Sequence, residues 1–331
     1  MKSFKVMKKY ETVIGIDVSK RTLDLCISTS SGSESLRIRN EKSDFEKLSQ
    51  LVNEHTLVCI EHTGVYAFPI CEFLASRKIV YTLIPAAQIK KSLGIQRGKN
   101  DKADAKAIAR YGLLFQEYLT ITTIPEKLLL KLKLMYGQRE RLVKAKNSIA
   151  MPAKECNEFI DTRLMVEINK SADKAISVLK DQIRKLDSKM IELIQSDSGL
   201  NEAFELCQSV PGIGPQIAIY LIMTTRSFTC FKNARQYACY SGVAPFEYSS
   251  GSSIKGRTRI SHLANKKAKS LLSMGAINAV RHDRELKAYF DRKVSEGKNK
   301  MAVINAVRNK LISRVFATVE RGTPFVQHAN Y

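Results

Sequence analysis

Two short apolar runs, each closed by a carboxylate, constrain this chain more than any other feature: Thr12-Val13-Ile14-Gly15-Ile16-Asp17 and Thr56-Leu57-Val58-Cys59-Ile60-Glu61. Aliphatic, β-branched runs of this length read as buried strands. Between them the sequence supplies a second strand at Thr22–Ser28, a turn-rich stretch over residues 29–35 and a third strand at 35–39. A helix follows that Ser43 would cap and that carries Phe45, Leu48 and Val52. Three strands joined by short turns predict an antiparallel meander. After Glu61 come a helix at Phe68–Ser76, a strand at 79–84, a helix from about Ala86 and a glycine-bounded loop at 94–98. The order is β-β-β-α-β-α-β-α. In a sheet whose first and fourth strands are neighbours, Asp17 and Glu61 stand side by side.

The loop leads into Lys99-Asn100-Asp101-Lys102-Ala103-Asp104-Ala105, at what reads as a helix start. Residues three apart share a helical face, so Asp101 and Asp104 can aim at one point. Alone, the stretch supports two readings. Asn100 or Asp101 caps the helix, with early acids favoured by its dipole, or the pair is half of a metal site. Two strand-end acids plus this pair, in this element order, favour the second. Four converging carboxylates repel unless cations neutralise them. Asp17, Glu61, Asp101 and Asp104 therefore suit two Mg²⁺ ions that align an attacking oxygen, a phosphorus and a leaving oxygen.

Charge names the partner class. The 331 residues carry 54 Lys+Arg against 32 Asp+Glu, a net +22, which calls for nucleic acid or an anionic membrane surface. Residues 251–331 hold 17 Lys/Arg and 5 Asp/Glu, so more than half the excess sits in the last quarter, as a dedicated binding surface requires. No apolar run reaches membrane-span length, and the basic N-terminus has no apolar core behind it. Neither anchor nor signal peptide is expected, and the location expected is cytoplasmic. The seven cysteines form no C-x-x-C pair and the five histidines no i,i+4 pair. They predict buried thiols rather than disulfides or zinc ligands.

From Pro125 the texture becomes helical. Leu128, Leu132, Met135 and Leu142 recur at helical spacing, and Pro152 is expected to break the pattern, with a turn to about Asp161. Ile176, Leu179, Ile183, Leu186, Met190 and Leu193 then step 3-4-3-4-3. This coiled-coil seam fits an intramolecular hairpin or a dimerisation arm. Pro211-Gly212-Ile213-Gly214-Pro215, between two helical patterns, resembles a helix-hairpin-helix. There Gly212 and Gly214 would let backbone N–H groups face a DNA phosphate, although such turns also serve purely structural ends. Residues 240–261 read as a flexible, hydroxyl-rich loop flanked by Lys255, Arg257 and Arg259. The segments 263–282, 284–294 and 300–320 read as basic helices, with Lys266, Lys267, Lys269, Arg308 and Arg314 as phosphate-contact candidates.

These motifs resemble the DEDD-type insertion-sequence transposases, which are related to the Piv DNA invertases and are now called bridge-RNA-guided recombinases. The resemblance rests on Gly15-Ile16-Asp17-Val18-Ser19-Lys20, on Glu61-His62-Thr63-Gly64-Val65-Tyr66, and on Lys99-x-Asp101-x-x-Asp104-Ala105, with Asn100 where threonine is more usual. Gly242-x-x-Pro245, four residues, Ser250-Gly251 and then Gly256-x-x-x-Ile260-Ser261 look like the family's C-terminal motif. The resemblance implies an α/β plus α architecture. An RNase H/RuvC-like mixed sheet with helices would occupy 1–123, a coiled-coil helical segment 124–198, and a mainly helical domain with the helix-hairpin-helix and serine loop 199–326. It implies Mg²⁺ on Asp17, Glu61, Asp101 and Asp104, and a serine nucleophile at Ser250 that forms a phosphoserine link, with Ser249 the neighbouring alternative. Its implied partners are double-stranded donor and target DNA, a structured guide RNA encoded beside the gene, and further copies of the chain, as a dimer or tetramer joined through the helical arm. The rival readings are a metal-dependent, junction-resolvase-like nuclease that uses water, and a non-catalytic basic protein.

Overall fold

The computed structural model describes residues 9–61, 64–92, 101–119, 121–122, 127–155, 162–244, 246–250, 254–259 and 264–327. The chain divides into two compact units, 1–124 and 125–331. The first opens with β1 (Thr12–Val18), β2 (Thr22–Ser28) and β3 (Ser33–Arg39), followed by α1 (Lys42–Gln50) and β4 (Thr56–Glu61). Then come α2 (Phe68–Ser76), β5 (Tyr81–Ile84), α3 (Ala86–Ser92) and α4 (Asp101–Phe115). The sheet order is β3-β2-β1-β4-β5. The first three strands are antiparallel, as the meander required. β1 and β4 are parallel neighbours, and so are β4 and β5. This mixed five-stranded sheet with helices is the arrangement expected of an RNase H/RuvC-like domain.

Strand alternation sorts the apolar residues onto two covered faces. Ile14, Ile16, Leu23, Leu25, Val58 and Ile60 pack with Phe45 and Leu48 of α1 and Ile70 and Leu74 of α2. Val13, Leu57, Cys59 and Ile84 face the other way, against Ile108 and Tyr111 of α4. Burial on both faces is why β1 and β4 read as unbroken apolar runs. One local expectation fails. α1 begins after Glu41, with no side-chain cap, so Ser43 lies inside the helix rather than before it.

The second unit contains α5 (Lys127–Glu155), α6 (Thr162–Gln195), α7 (Ser198–Gln208), α8 (Pro215–Thr225) and α9 (Ala234–Tyr240). A two-stranded sheet, β6 (Phe246–Ser250) and β7 (Ile254–Arg259), precedes α10 (Lys266–His282), α11 (Arg284–Ser295) and α12 (Lys300–Arg321). Asp197, Asn233, Asn265, Asp283 and Asn299 each cap a helix by accepting a first-turn N–H. α5 continues three residues past Pro152, so this proline does not end the helix. Its missing N–H costs one backbone bond, which a long helix packed along a partner tolerates. The turn expected up to Asp161 lies mostly outside the described residues.

α5 and α6 pack as an antiparallel hairpin, clamped where Arg139 Nε donates to Asp187 Oδ1 at 2.6 Å. The seam grows more buried toward the second unit's core, which takes in Leu132, Tyr136, Met190 and Ile194. Farther out, Val166 and Val178 are 60% and 61% exposed. At the α7–α8 turn Gly212 has φ +92°, and a Cβ there would lie 2.6 Å from Gly275 O and 2.7 Å from Ala279 Cβ on α10. Only glycine permits both that backbone and that approach.

Candidate active site

Strand register builds the acidic site. Ile16 pairs with Ile60 in the parallel β1–β4 ladder, so Asp17 and Glu61 follow at one level. On the other side of β1, Asp17 pairs with Asp24 of β2. Residues 13, 15 and 17 share the face that α4 covers, and Gly15 is what lets α4 approach. A side chain at Gly15 would collide with Ala105 O and Ala109 N, both backbone atoms of α4. Next along the helix, Gly112 sits where a Cβ would come 2.6 Å from Cys59 Sγ and 2.7 Å from Val13 Cγ1. Gly112 over Val13 and Ala105 over Gly15 fix the direction of α4: its first turn, with Asp101 and Asp104, reaches the level of Asp17. The strand register and the direction of α4 thus bring Asp17, Glu61, Asp101 and Asp104 toward one end of this face.

Electrostatics reports the convergence. Asp17 is half-buried, and its carboxyl is pushed up from 3.8 to about 6, first by burial and then by Glu61, Asp104 and Asp101, against a weaker opposing hydrogen bond from the Val18 backbone. All three other acids thus act on Asp17, and among the described residues no cation offsets them there. A set of hard oxygen donors under mutual repulsion fits a divalent cation. Among the described residues, no three acidic, histidine or cysteine side chains are arranged to hold a metal ion as they stand.

Two residues of this corner escaped the sequence reading. Asp24 is 4% exposed and accepts from Arg37 twice, at 2.8 Å from Nε and 3.0 Å from Nη2. The same Nη2 donates to Asp101 Oδ2 at 3.2 Å. Arg37 thus ties a buried acid of the sheet to the exposed acid that opens α4. A signal existed: in a β1–β2 hairpin with the short turn at residues 19–21, Asp24 falls opposite Asp17. The loop at 94–98 and Asn100 lie outside the described residues.

In the second unit, residues expected in a flexible loop form the antiparallel β6–β7 hairpin, with Ser249 opposite Lys255 and Ser250 opposite Ile254. The two strands carry aromatic Phe246 and Tyr248 and β-branched Ile254 and Thr258, residue types that favour strands. Ser250 is the last residue of β6, and Lys255, Arg257 and Arg259 occupy alternate positions of β7. Gly214 lies at the exposed start of α8, where a Cβ would meet nothing within 4 Å, whereas Gly212 has the packing duty described above. Lys266 is exposed at the first position of α10. Lys267 is committed to Glu140 of α5 at 2.6 Å. Arg314 is committed to Asp283 at 2.7 Å and Glu285 at 2.6 Å, a structural cluster rather than a free phosphate contact. Lys269 faces Arg308, whose charge joins burial in lowering its pKa. Cys26, Cys59, Cys71 and Cys207 are buried free thiols, while Cys230 is exposed.

Residues 14–151 match the DEDD transposase model, and residues 205–291 match the model described as the transposase IS116/IS110/IS902 family. The chain belongs to that transposase family. The four acids lie within the first match and Ser250 within the second; α6 lies between them. The transposase is 28% identical over 330 residues to the pilin gene-inverting protein of Moraxella lacunata, across 95% of this chain and 98% of that protein. The Moraxella bovis pilin gene-inverting protein matches to the same extent. The transposase for insertion sequence element IS1111A of Coxiella burnetii is 25% identical, across 69% of this chain and 68% of that protein. A solved structure of T. thermophilus RuvC in complex with Holliday junction substrate aligns over 34% of this chain and 100% of its own, at 12% identity and a TM-score of 0.27. That likeness is too slight to add to the strand order described above. Among the described residues, no helix of the transposase is long and apolar enough to cross a membrane.

Proposed function

We propose that this transposase cuts and exchanges DNA strands with a serine nucleophile, Ser250, and a divalent-metal site on Asp17, Glu61, Asp101 and Asp104. One observation carries the acidic half: the β1–β4 register and the first turn of α4 bring these acids close enough that, after burial, they add to the rise of the Asp17 carboxyl to about 6. Mg²⁺, when bound there, would polarise phosphoryl oxygens and offset the charge of a five-coordinate phosphorus. Ser250 Oγ attacks a backbone phosphorus. The Oγ–P bond forms, the bond from phosphorus to the departing strand oxygen breaks, and the hydroxyl proton ends on that oxygen. The phosphoserine conserves the bond energy until a hydroxyl of another strand end reverses the step. Lys255, Arg257 and Arg259 supply positive charge along the same hairpin. Lys266 and the open backbone at Gly214 hold donor and target duplexes by their phosphates. A structured guide RNA selects those duplexes. Protomers join through the α5–α6 arm, which the exposed Val166 and Val178 support.

The test is a denaturing gel for a covalent protein–DNA adduct on labelled donor DNA in Mg²⁺. Ser250→Ala abolishes the adduct and strand exchange, while Ser249→Ala keeps both. Exchange at the wild-type rate by Ser250→Ala would overturn the serine assignment and return the acids to a water-using nuclease. Asp17→Ala and Asp104→Ala each abolish exchange, and survival of either variant's activity would overturn the metal assignment.

A further inference from the structure

Burying a guanidinium without a carboxylate is costly, because the protein interior replaces its hydration poorly. Arg308 of α12 is 5% exposed. It forms no ion pair among the described residues, and its buried Nε has no hydrogen-bond partner. Its Nη1 donates to Asn305 Oδ1 at 3.0 Å. Beside it stands Lys269 of α10, partly buried and with no carboxylate partner among the described residues. Burial lowers the pKa of both cations, and for Lys269 the charge of Arg308 adds to the effect. Among the described residues, other cations of this unit do have carboxylate partners: Arg139 with Asp187, Lys267 with Glu140, and Arg314 with Asp283. Two adjacent cations with an unused buried donor lack an anion.

Their position says which anion. Asn305 Nδ2, held on its other end by Arg308, donates to Val243 O at 2.8 Å. Val243 lies three residues before β6. On the return path, Asn265 N donates to Tyr240 O at 2.7 Å, and Asn265 caps α10 one turn before Lys269. The chain therefore leaves for the β6–β7 hairpin, and comes back from it, beside this cation pair.

We propose that Lys269 and Arg308 form a binding site for a DNA backbone phosphate at the foot of the hairpin that carries Ser250. The proposal rests on the reading that this hairpin engages DNA. The planar guanidinium offers a forked contact to two phosphate oxygens, and the lysine adds a point charge. One phosphate would satisfy the free Nε and neutralise both cations. The contact is blind to sequence and fixes the register of the strand relative to the hairpin.

The test is fluorescence anisotropy of full-length protein on a short labelled duplex of arbitrary sequence, across a salt series. All proteins carry Ser250→Ala, so that chemistry does not intervene. Lys269→Gln weakens binding about tenfold and flattens the slope of log K against log salt by about 1, the signature of one lost phosphate. Arg308→Lys keeps the charge and loses the fork. It weakens binding with the slope unchanged, and thermal melts identify any variant that fails to fold. Lys269→Gln combined with Arg308→Gln flattens the slope no further than Lys269→Gln alone, since both cations serve one phosphate. Wild-type affinity and slope for Lys269→Gln and Arg308→Lys would overturn the site. The serine reading fails separately: an adduct persisting in Ser250→Ala removes the nucleophile and leaves the salt slopes untouched.

Discussion

Asp17 is poised so that its ionisation opposes folding, and the cost can be estimated. Its carboxyl titrates at about 6 in the folded chain against an ordinary 3.8, chiefly through burial and then the charges of Glu61, Asp104 and Asp101. A tenfold change in proton affinity is worth about 1.4 kcal/mol, so the whole shift would amount to roughly 3 kcal/mol. The group is half exposed, and solvent screening reduces this to roughly 1–1.5 kcal/mol. The sign follows from proton uptake. Between pH 4 and 6 the folded state holds a proton that the unfolded state has released, so stability falls as pH rises through that window and is flat above it. Asp17→Asn removes the titration. In EDTA the variant gains roughly 1–1.5 kcal/mol over wild type at pH 7.5 and nothing at pH 4, a shift of about half a molar in a urea midpoint. Hydrogen exchange of β1 and α4 peptides reads the first unit separately from the second. Adding Mg²⁺ stabilises wild type at pH 7.5 and leaves Asp17→Asn unmoved. An Asp17→Asn protein less stable than wild type at pH 7.5 in EDTA would refute the repulsion, because the carboxylate would then be making a favourable contact.

Three further substitutions probe the supports of the two units. Arg37→Ala strands the buried Asp24 and frees Asp101, so the first unit loses about 1–3 kcal/mol in urea titrations while its Mn²⁺ affinity rises severalfold; unchanged stability would show the bidentate pair to be idle. Gly15→Val drives a branched side chain into the backbone of α4, costing at least about 3 kcal/mol and weakening Mn²⁺ binding by displacing Asp101 and Asp104; binding at the wild-type level would mean that α4 does not need this contact. Arg314→Met leaves the Asp283 carboxylate buried and unpaired, lowering the stability of the second unit by about 3 kcal/mol with no change in the salt slope of DNA binding. Burial works against the Asp283 charge, yet its bonds from the Leu286 N–H and Arg314 hold its carboxyl below the usual range, so this contribution is present at neutral pH and lost as pH falls below 4.

Much of the first unit was legible because its signals are local. A strand buried on both faces must be apolar throughout, so β1 and β4 announce themselves, and the acids that close them stand out. Element order then leaves few ways to arrange the sheet, and the parallel β1–β4 pairing is among them. Arg37 was not legible, since it sits in an exposed edge strand whose alternation carries little information, and its partners Asp24 and Asp101 are 13 and 64 residues away. The serine hairpin was read as a loop because hydroxyl-rich composition is common to both, and cross-strand pairing decides between them. Pro152 misled for a related reason: its local penalty is real, but the packing of α5 along α6 outweighs it. In the C-terminal helices, composition gave the sign of the surface and not which cations remain free. Lys267 and Arg314 are spent on ion pairs that only the fold creates.

The cross-strand pair Asp17–Asp24 shows how one sheet treats two adjacent acids differently. Both stand on the face covered by α4, at the same rung of the β1–β2 ladder. Asp24 is the more buried, and a bidentate guanidinium satisfies it. Asp17, one strand closer to Glu61, has no such cation among the described residues, and burial and then its acidic neighbours raise its proton affinity. If the corner served stability alone, a second arginine or a neutral residue at position 17 would relieve the repulsion. Arg37 instead pairs with the acid farther from Glu61, and α4 brings two more carboxylates toward Asp17. Such repulsion is costly to the free protein and is relieved by a divalent ion, so it raises the affinity the folded chain has for that ion. Arg37, bridging Asp24 to Asp101, keeps one carboxylate of the set engaged by a side chain that an incoming cation can displace.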